Sequence, residues 1–545
     1  MKKPILHTLI VLISPFLLRG QSTVAFTKVY SIFQSKCISC HSNVQKAGGL
    51  DLEGNGADKS GIVFTNLVNK SPINLTANSK GHKLVYPGRI DKSFLFHKIN
   101  ADFDSYYPAL TANEGLPMPQ SGTVLSKTEK EIIRQWVLYG ADKTTKIPED
   151  RIRAYYDTLG RGIAAYETPP PAPSAAQGFQ IRMGPFFLAP QGTTGSELEY
   201  YQKWELSMAN DVEVNRLDHL IGASSHHLII YYFSTASAAT TIPAGLRTEA
   251  YHSGISLVSA VQGKTDLLLP DKTAFKWEKN RILDLNSHYI NYSANHVYKA
   301  DAFLNVYTQP SGTAKQEMFS ILVPNQNISI PNSGQTVTQE AQFIFSGKIY
   351  LWGVMGHTHK YGTGYKVFKR LPNNAKGELL YDAACPGGIP GCASPYFDYQ
   401  HIPMRYLLPL KAVDLNPGII HQATWNNSGT KTLTFGPTSA DEMMVMTALF
   451  TQDTLGLTPT HDIRELEDVQ VFPNPMSEQL TVILPPSVKN AKIVFYDLLG
   501  REIKREEGIE TPIVEISRGN LKRGMYIYKV EDQRGYIKTG KISVE

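Results

Sequence analysis

The chain has 545 residues, of which 42% are hydrophobic and 19% charged, a globular composition with room for about three to four domains. Its formal net charge is +5 and no dense run of Lys and Arg occurs, which argues against a nucleic-acid-binding function. Four cysteines are too few for a disulfide-stapled scaffold, so their positions matter more than their number.

Residues 1–22 predict a cleaved signal peptide, and therefore export. Lys2 and Lys3 form a positive start, residues 9–18 are apolar, and a small or polar exit follows at residues 20–22. About ten apolar residues cannot cross a hydrocarbon core, which needs about 20. No later apolar run is long enough either, so we expect no transmembrane segment after signal cleavage.

A small helical domain is predicted at residues 23–150. Residues 25–36 and 127–140 both carry apolar side chains at helical spacing. The Pro-rich run at 168–178 then predicts a stiff linker, which we place at residues 151–180.

The rest of the chain has the texture of β-sandwiches. Short apolar runs are separated by clusters of Gly, Pro, Asn and Ser, which favours sandwiches over alternating helices and strands. The runs lie at residues 228–233, 303–307, 348–352, 443–450, 479–484, 492–496 and 525–530. We therefore predict a multidomain protein with two β-sandwich domains, at 181–310 and 311–460, and a small C-terminal β-sandwich at 465–545.

The motif Cys37-Ile-Ser-Cys40-His41 predicts one covalently bound haem c. Its spacing lets two thiols add to the two vinyl groups of a haem while His41 turns its imidazole onto the iron. A plain disulfide or a thioredoxin-type redox pair is the alternative. The histidine directly after Cys40 and the export signal favour haem.

Three further segments resemble the c-type cytochrome domain of multidomain proteins. They are Gly48-Gly-Leu-Asp-Leu52, Tyr86-Pro-Gly-Arg-Ile-Asp-Lys-Ser-Phe-Leu95 and Leu116-Pro-Met-Pro119, ahead of a helix that contains Trp136. The resemblance implies that Met118 is the second axial ligand of the iron. His82 and His97 are the alternatives, and a His/His haem would have the lower potential.

Five histidines fall in three sets within the β region: His226-His227, His288, and His357-Thr-His359. A strand places residues i and i+2 on one face, so His357 and His359 can bind one ion together. Adjacent residues such as His226 and His227 converge only where the strand bends or bulges.

With Met443, these sets resemble the copper type II ascorbate-dependent monooxygenases in the same order and at comparable intervals. That family includes peptidylglycine alpha-hydroxylating monooxygenase and dopamine beta-monooxygenase. The matching segments are Ala223-Ser-Ser-His-His-Leu-Ile-Ile-Tyr231, Leu285-Asn-Ser-His-Tyr289, His357-Thr-His-Lys-Tyr-Gly-Thr-Gly-Tyr-Lys-Val367 and Thr438-Ser-Ala-Asp-Glu-Met-Met444. The resemblance implies two jelly-roll sandwiches and two copper ions.

The same resemblance assigns the ligands of both ions. The first ion stores an electron and would be bound by His226, His227 and His288. The second ion is the catalytic one, where O2 meets a substrate C–H bond, and would be bound by His357, His359 and Met443. The soft thioether of a methionine favours Cu(I), the form that must meet O2.

The chain departs from peptidylglycine hydroxylases where those enzymes grip the carboxylate of their substrate. Met355 stands in place of their arginine, and Val445 and Thr447 stand in place of their Asn and Tyr. We therefore expect a small apolar or aromatic substrate. Gln202 and Met444 occupy positions where the family usually has cysteines, so the core has to stabilise the fold.

The C-terminal module resembles the sorting domain of type IX secretion. Its motifs are Val471-Phe-Pro-Asn-Pro-Met476, Ile493-Val-Phe-Tyr-Asp-Leu-Leu-Gly500, Gly524-Met-Tyr-Ile-Tyr-Lys-Val530 and Gly540-Lys-Ile-Ser-Val544. The resemblance implies the type IX machinery as a partner and a secreted or cell-surface location. An immunoglobulin-like spacer is the alternative.

The remaining cysteine pair and the absence of other catalytic motifs also bear on function. Cys385 and Cys392 enclose a short loop, which predicts a disulfide in an oxidising compartment. No Gly-rich phosphate loop, GxSxG elbow or HExxH motif occurs, so hydrolase and nucleotide-dependent activities have no support.

The sequence thus predicts an exported monooxygenase that inserts oxygen from O2 into a C–H bond of a small molecule. The haem domain is expected to donate electrons to copper and to be reduced by an external electron donor. We also expect it to dock near His226, His227 and His288. The alternative is a surface protein that transfers electrons or binds copper without hydroxylation.

Overall fold

The computed structural model describes residues 23–120, 124–157, 162–249, 255–262, 265–384, 397–400, 402–436, 440–457, 469–485, 488, 490–497, 501–532 and 537–545. It divides into two compact units, residues 1–267 with 274–313 and residues 268–273 with 314–545. The predicted signal peptide at 1–22 and the predicted disulfide between Cys385 and Cys392 lie outside the described residues.

The first unit begins with a helical domain. Its helices are α1 (Ala25–Lys36), α2 (Lys59–Leu67), α3 (Leu75–Ser79), α4 (Phe94–Ile99), α5 (Lys127–Leu138) and α6 (Glu149–Tyr156). Short 3-10 turns lie at Ala47–Gly49, Ile90–Lys92 and Ala112–Glu114, and strands β1 (Thr23–Val24) and β2 (Lys146–Ile147) pair antiparallel.

The two helices predicted from apolar spacing are confirmed as α1 and α5. Ser126 caps α5, because its hydroxyl accepts a hydrogen bond from the Glu129 N–H while the Glu129 carboxylate accepts one from the Ser126 N–H. Trp136 is fully buried and lies 5.2 Å, ring centre to ring centre, from Phe26 of α1. The contact between α1 and α5 forms the core of this domain.

A β-sandwich completes the first unit. Its strands are β3 (Gly162–Ala164), β4 (Gly178–Leu188), β5 (Glu197–Glu205), β6 (Val212–Ile221), β7 (Ser225–Phe233), β8 (Gly245–Arg247), β9 (Ile255–Val261), β10 (Thr265–Leu268), β11 (Thr273–Trp277), β12 (Ile282–Ile290) and β13 (Val297–Pro310), with a short helix α7 (Ala236–Thr240). One sheet contains β11, β6, β13 and β3 in that order, with β4 paired to β13 and β10 to β6. The other has the order β8-β5-β12-β7-β9. Phe186 of the first sheet stacks on Tyr200 of the second at 4.2 Å, which places the core between them.

The range expected as a linker, 151–180, is more ordered than its composition suggests. It contains most of α6 and the strand β3, and Ile152 of α6 is fully buried. The proline run itself lies along the sandwich, where Gln180 donates a hydrogen bond to the Pro170 carbonyl and Asn305 donates one to the Pro171 carbonyl. The amide side chains of β4 and β13 therefore bind a segment that cannot pair with them through its own N–H groups.

The helical domain and the first sandwich meet through their backbones. A Cβ atom on Gly88 would lie 2.4 Å from the Gly245 nitrogen, and one on Gly245 would lie 2.0 Å from the Leu138 carbonyl oxygen. Both glycines also have positive φ, +73° and +80°. These two positions therefore require glycine for space and for conformation.

The second unit contains another sandwich and the C-terminal module. The short strand β14 (Gln316–Glu317) precedes the sandwich, whose strands are β15 (Phe319–Pro324), β16 (Ser329–Ile330), β17 (Thr336–Phe343), β18 (Lys348–His357), β19 (Gly362–Arg370), β20 (Lys376–Asp382), β21 (Arg405–Asp414), β22 (Ile419–Asn426), β23 (Leu433–Thr434) and β24 (Val445–Thr451). Its sheets have the orders β15-β24-β18-β21 and β17-β22-β19-β20, and β16 pairs with β23. Tyr365 and Trp425, both fully buried, belong to its core.

The C-terminal module is a small sandwich. Its strands are β25 (Gln470–Phe472), β26 (Gln479–Ile483), β27 (Ala491–Tyr496), β28 (Glu502–Ile509), β29 (Ile513–Ser517), β30 (Gly524–Glu531) and β31 (Ile537–Val544). They form sheets of order β25-β26-β29 and β28-β27-β30-β31 around a core that includes Leu480, Ile493 and Phe495.

The prediction of a chain rich in β-sandwiches with few helices is confirmed. Among the described residues, no helix has both the length and the apolar character needed to cross a membrane.

Candidate functional site

The helical domain contains a cavity of about 540 Å³, within the size range of protein ligand pockets. Cys37, Cys40 and His41 line it, directly after α1 ends, and Met118 lines it from a loop ahead of α5. Most of the other lining residues, such as Phe94, are apolar. The residues expected to attach and ligate a haem therefore share one pocket.

The imidazole of His41 has a fixed hydrogen-bond partner. Its Nδ1 lies 2.9 Å from the carbonyl oxygen of Ala47. A carbonyl oxygen can only accept, so Nδ1 carries the hydrogen and Nε2 keeps the lone pair that binds metals. A second ring nitrogen bonded to a backbone carbonyl is typical of metal-ligating histidines. The residues present therefore fit a haem.

Cys37 and Cys40 are free thiols. Burial raises the pKa of Cys37 to about 11, and the charge of Glu129 adds to the rise. A thioredoxin-type pair needs a thiol of lowered pKa. The environment of Cys37 thus disfavours the redox-pair alternative.

The three candidates for the second axial ligand differ in position. Met118 is half-buried and lines the cavity, with its N–H donating to the Lys98 carbonyl at 2.7 Å. His82 and His97 do not line it. Their rings stack on each other at 5.0 Å, and Nε2 of His97 bonds to the carbonyl oxygen of Asp91. The position favours Met118.

The first histidine set lies on two neighbouring strands of the first sandwich. His288 of β12 pairs with His227 of β7, and the next residue, Tyr289, pairs with Ser225. His226 is thus the extra residue of a β-bulge, the irregularity that an adjacent pair needs in order to converge. The ring centres of the three histidines lie 5.5 to 5.9 Å apart.

Two carboxylates on β5 support this set. Glu197 Oε1 lies 3.0 Å from His288 Nε2, and Glu199 Oε1 lies 3.3 Å from His227 Nε2. The Nδ1 atom of His288 is buried and has no hydrogen-bond partner among the described residues. A buried, unsatisfied ring nitrogen next to two other imidazoles fits a copper ion, for which imidazole is a suitable ligand.

Burial alone would raise the pKa of Glu199, but hydrogen bonding and charge from His227, with a smaller effect of His288, lower it to about 2. Glu199 therefore stays ionised and can hold an imidazole N–H. Sequence reasoning missed both carboxylates. Their i, i+2 spacing was the available signal, since it places Glu197 and Glu199 on one face of a strand.

The second histidine set lies at the end of β18 in the second unit. His357 is the last residue of the strand, and His359 belongs to the following loop. The expectation that both histidines lie on one face of a strand therefore holds only for His357. Their rings still lie 5.3 Å apart. His359 Nδ1 lies 3.2 Å from the Asp441 carbonyl oxygen, which leaves the Nε2 lone pair for a ligand.

Met443 lies near this pair because of strand pairing. Val445, the first residue of β24, is directly opposite His357. Glu442, next to Met443, accepts a hydrogen bond from the His359 N–H at 2.8 Å. Burial raises the pKa of Glu442, although four N–H donors oppose the rise. Sequence reasoning missed Glu442, because nothing in the sequence places it against the His357-Thr-His359 segment.

The three residues at the positions where a carboxylate-binding group would be expected from the resemblance are uncharged. Met355 pairs with Thr447 across β18 and β24, and both are buried, as is Val445. These three side chains offer no positive charge to an anionic substrate.

Residues 470–545 match the family described as the secretion system C-terminal sorting domain. The C-terminal module is a secretion sorting domain. The chain is therefore exported to the cell surface or the medium, as predicted, and the type IX machinery is its partner in secretion.

No curated protein matches the chain. Among solved structures, an immunoglobulin-like β-sandwich protein from Bacteroides vulgatus is 18% identical and covers 14% of this chain and 84% of its own, with a TM-score of 0.13. PNGase F, a glycosylasparaginase from Flavobacterium meningosepticum, is 9% identical and covers 50% of this chain and 96% of its own, with a TM-score of 0.23. At these TM-scores neither similarity establishes a shared fold.

Proposed function

We propose that the chain is an exported monooxygenase that uses one covalent haem c and two copper ions to hydroxylate a C–H bond of a small apolar or aromatic molecule. The observation that carries the proposal is the first histidine set. Nε2 of His288 is hydrogen-bonded to Glu197, Nε2 of His227 lies 3.3 Å from the Glu199 carboxylate, and the buried Nδ1 of His288 has no hydrogen-bond partner among the described residues. The order of this set along the chain and that of the second set resemble the copper type II monooxygenases.

The overall reaction consumes O2, two electrons and two protons, and gives the hydroxylated substrate and water. When bound, haem and copper supply one-electron transfer and O2 activation. The protein side chains supply binding and orientation. His226, His227 and His288 would hold the first ion, with Glu197 and Glu199 fixing the rings. The second ion would be held by His357, His359 and Met443.

The contacts of α5 support entry of electrons through the haem domain. Ile133 of α5 lines the cavity, and two residues later Gln135 donates a hydrogen bond to the Pro185 carbonyl of the sandwich at 2.8 Å. Tyr139, at the end of the helix, is hydrogen-bonded to Tyr200 of β5. β5 also carries the carboxylate of Glu199, so one strand contacts both the haem domain and the first histidine set.

The substrate class follows from the buried, uncharged positions near the second histidine set. A carboxylate buried against Met355, Val445 and Thr447 without a partner would cost several kcal/mol. We therefore expect poor turnover of glycine-extended peptides. Efficient amidation of such a peptide would mean that another residue holds the carboxylate.

The test uses the purified full chain, matured with haem and loaded with copper, together with a reductant and a panel of apolar and aromatic compounds. Incorporation of one atom from labelled O2 into a product supports the proposal, and the His357→Ala variant should abolish it. If the protein cycles between oxidised and reduced states without any labelled product, it is a redox or copper-binding protein instead.

A further inference from the structure

Glu442 is a buried carboxylate at the junction of three segments of the second unit. Its side chain is fully buried. Oε2 accepts hydrogen bonds from the His359 N–H at 2.8 Å, the Trp425 Nε1–H at 3.0 Å and the Met443 N–H at 3.3 Å. Oε1 accepts one from the Tyr361 N–H at 2.8 Å.

Two of these four donors belong to residues proposed to hold the second copper ion. The N–H groups of His359 and Met443 meet at one oxygen atom, although 83 residues separate His359 from Glu442. Trp425, fully buried in β22, fixes that oxygen from the opposite sheet. The distance between the backbones that carry the imidazole and the thioether is thus set by one carboxylate.

We infer that Glu442 is a positioning residue that holds His359 and Met443 at the spacing a single Cu(I) ion requires. The inference rests on the proposed function, because it takes these two residues as ligands. Glu442 is not assigned as a ligand itself, since both of its oxygens already accept N–H groups.

The charge pattern agrees with this assignment. No Lys or Arg of the described residues forms an ion pair with Glu442. Four N–H dipoles stabilise its negative charge instead. Such a group is costly to bury unless every acceptor site is used. A carboxylate is also the side chain that offers acceptors on both atoms, whereas an amide would turn one NH2 group toward an N–H donor.

The Glu442→Gln variant therefore tests the inference with almost no change in volume. We expect the copper-free variant to fold and to bind one copper ion at the first set as the parent does. At the second set, the affinity for Cu(I) should fall about 10- to 100-fold, as for other residues that orient metal ligands. The sulfur contribution to X-ray absorption of the Cu(I) protein should weaken or disappear.

The measurement is a competition for Cu(I) between the full chain and a chromophoric chelator, with the metal alone as probe. Glu378→Gln is the matched control, because Glu378 is a partly exposed carboxylate of the same unit that pairs with Lys369 and Lys411. This control should bind Cu(I) as the parent does. Unchanged affinity and an unchanged sulfur signal in Glu442→Gln would overturn the inference.

Two further variants keep the outcome clear. Met443→Ile should remove the sulfur signal, and if it does not, the proposed second site is wrong and not only the role of Glu442. If Glu442→Gln does not fold, Trp425→Phe replaces it, since it removes one donor to Oε2 and keeps the aromatic ring. A several-fold loss of Cu(I) affinity in Trp425→Phe supports the inference, and parent-like affinity overturns it.

Discussion

Arg182 of β4 and Asp104 of the helical domain form a buried ion pair, with Nη1 and Oδ2 2.7 Å apart. Arg182 also bonds through Nε to Asp301 of β13 at 2.8 Å, and Asp104 contacts Arg134 of α5. Because these side chains are almost fully buried, the pair holds the helical domain on the first sandwich in one orientation.

Asp104→Asn should destabilise the first unit by about 3 to 5 kcal/mol, because it leaves two buried arginines short of one charge partner. Thermal unfolding and protease sensitivity between residues 157 and 178 would measure this. Asp266→Asn is the control, since the Asp266–Arg216 pair is partly exposed and should contribute only about 0 to 1 kcal/mol. Equal losses in both variants would show that burial of the pair is irrelevant.

The ionised carboxylate of Asp104 should also make the free energy of unfolding decrease at acid pH. Burial would raise the pKa of Asp104, but Arg182 and Arg134 outweigh it and hold the pKa well below its ordinary value. The unfolded chain then binds more protons, so this contribution is complete above about pH 4 and is lost as pH falls further. Denaturant unfolding between pH 3 and 6 should show a smaller pH slope in Asp104→Asn than in the parent. Equal slopes would contradict the shift.

Met118→Ile should change the axial coordination of the haem, because it removes the only sulfur ligand among the three candidates. We expect loss of the sulfur-to-iron charge-transfer band and a lower reduction potential. His97→Gln, which changes a ring outside the cavity, should leave the spectrum as it is. The reverse result would assign the ligand to His97. Cys40→Ala should abolish full covalent attachment of the haem in both the Met118→Ile and the His97→Gln variants.

His226→Ala and His357→Ala should each lower the copper content by about one ion, measured on purified protein by elemental analysis. Glu199→Gln should weaken copper binding at the first set about 10- to 100-fold without abolishing it, because Glu199 orients His227. The exposed Glu278→Gln serves as control. Two tightly bound ions in the double histidine variant would refute the ligand sets.

Reduced haem in the intact chain should be reoxidised by copper at a rate that does not depend on protein concentration, since the helical domain and the first sandwich are already in contact. Stopped-flow absorbance of the haem would follow the reaction, and His227→Ala should slow it strongly. Tyr200→Phe should slow it less, because only one hydrogen bond to Tyr139 is lost. Haem that stays reduced while copper turns over with another reductant would separate the two functions.

Local patterns predicted much of this protein. Apolar spacing predicted α1 and α5, and the adjacency of His226 and His227 showed that a bend or bulge would be needed for both to bind one ion; the strand register contains a bulge there. Each depends on residues within a few positions of one another, so the sequence alone contains the necessary information.

The residues that support these sites could not be predicted, because their partners are distant in the sequence. Glu199 of β5 reaches His227 of β7 because both strands pair with β12, Glu442 acts on His359 across 83 residues, and Asp104 pairs with Arg182 across 78. Such partners depend on register and on domain packing, which a single sequence does not specify. The ordered proline run is a similar case, because Gln180 and Asn305 bind it only once the sheet exists.

The close contact between Gly88 and Gly245 limits how the helical domain can be inherited or engineered. Domains joined only by a linker can be exchanged independently, but here two main chains are in contact where no side chain fits. A graft onto an unrelated sandwich would lack the matching glycine at the acceptor surface. Recombination that moves the helical domain intact must therefore carry β8 with it. The chain position at which the domains can be separated without loss of function thus lies after the first sandwich and not at the proline run.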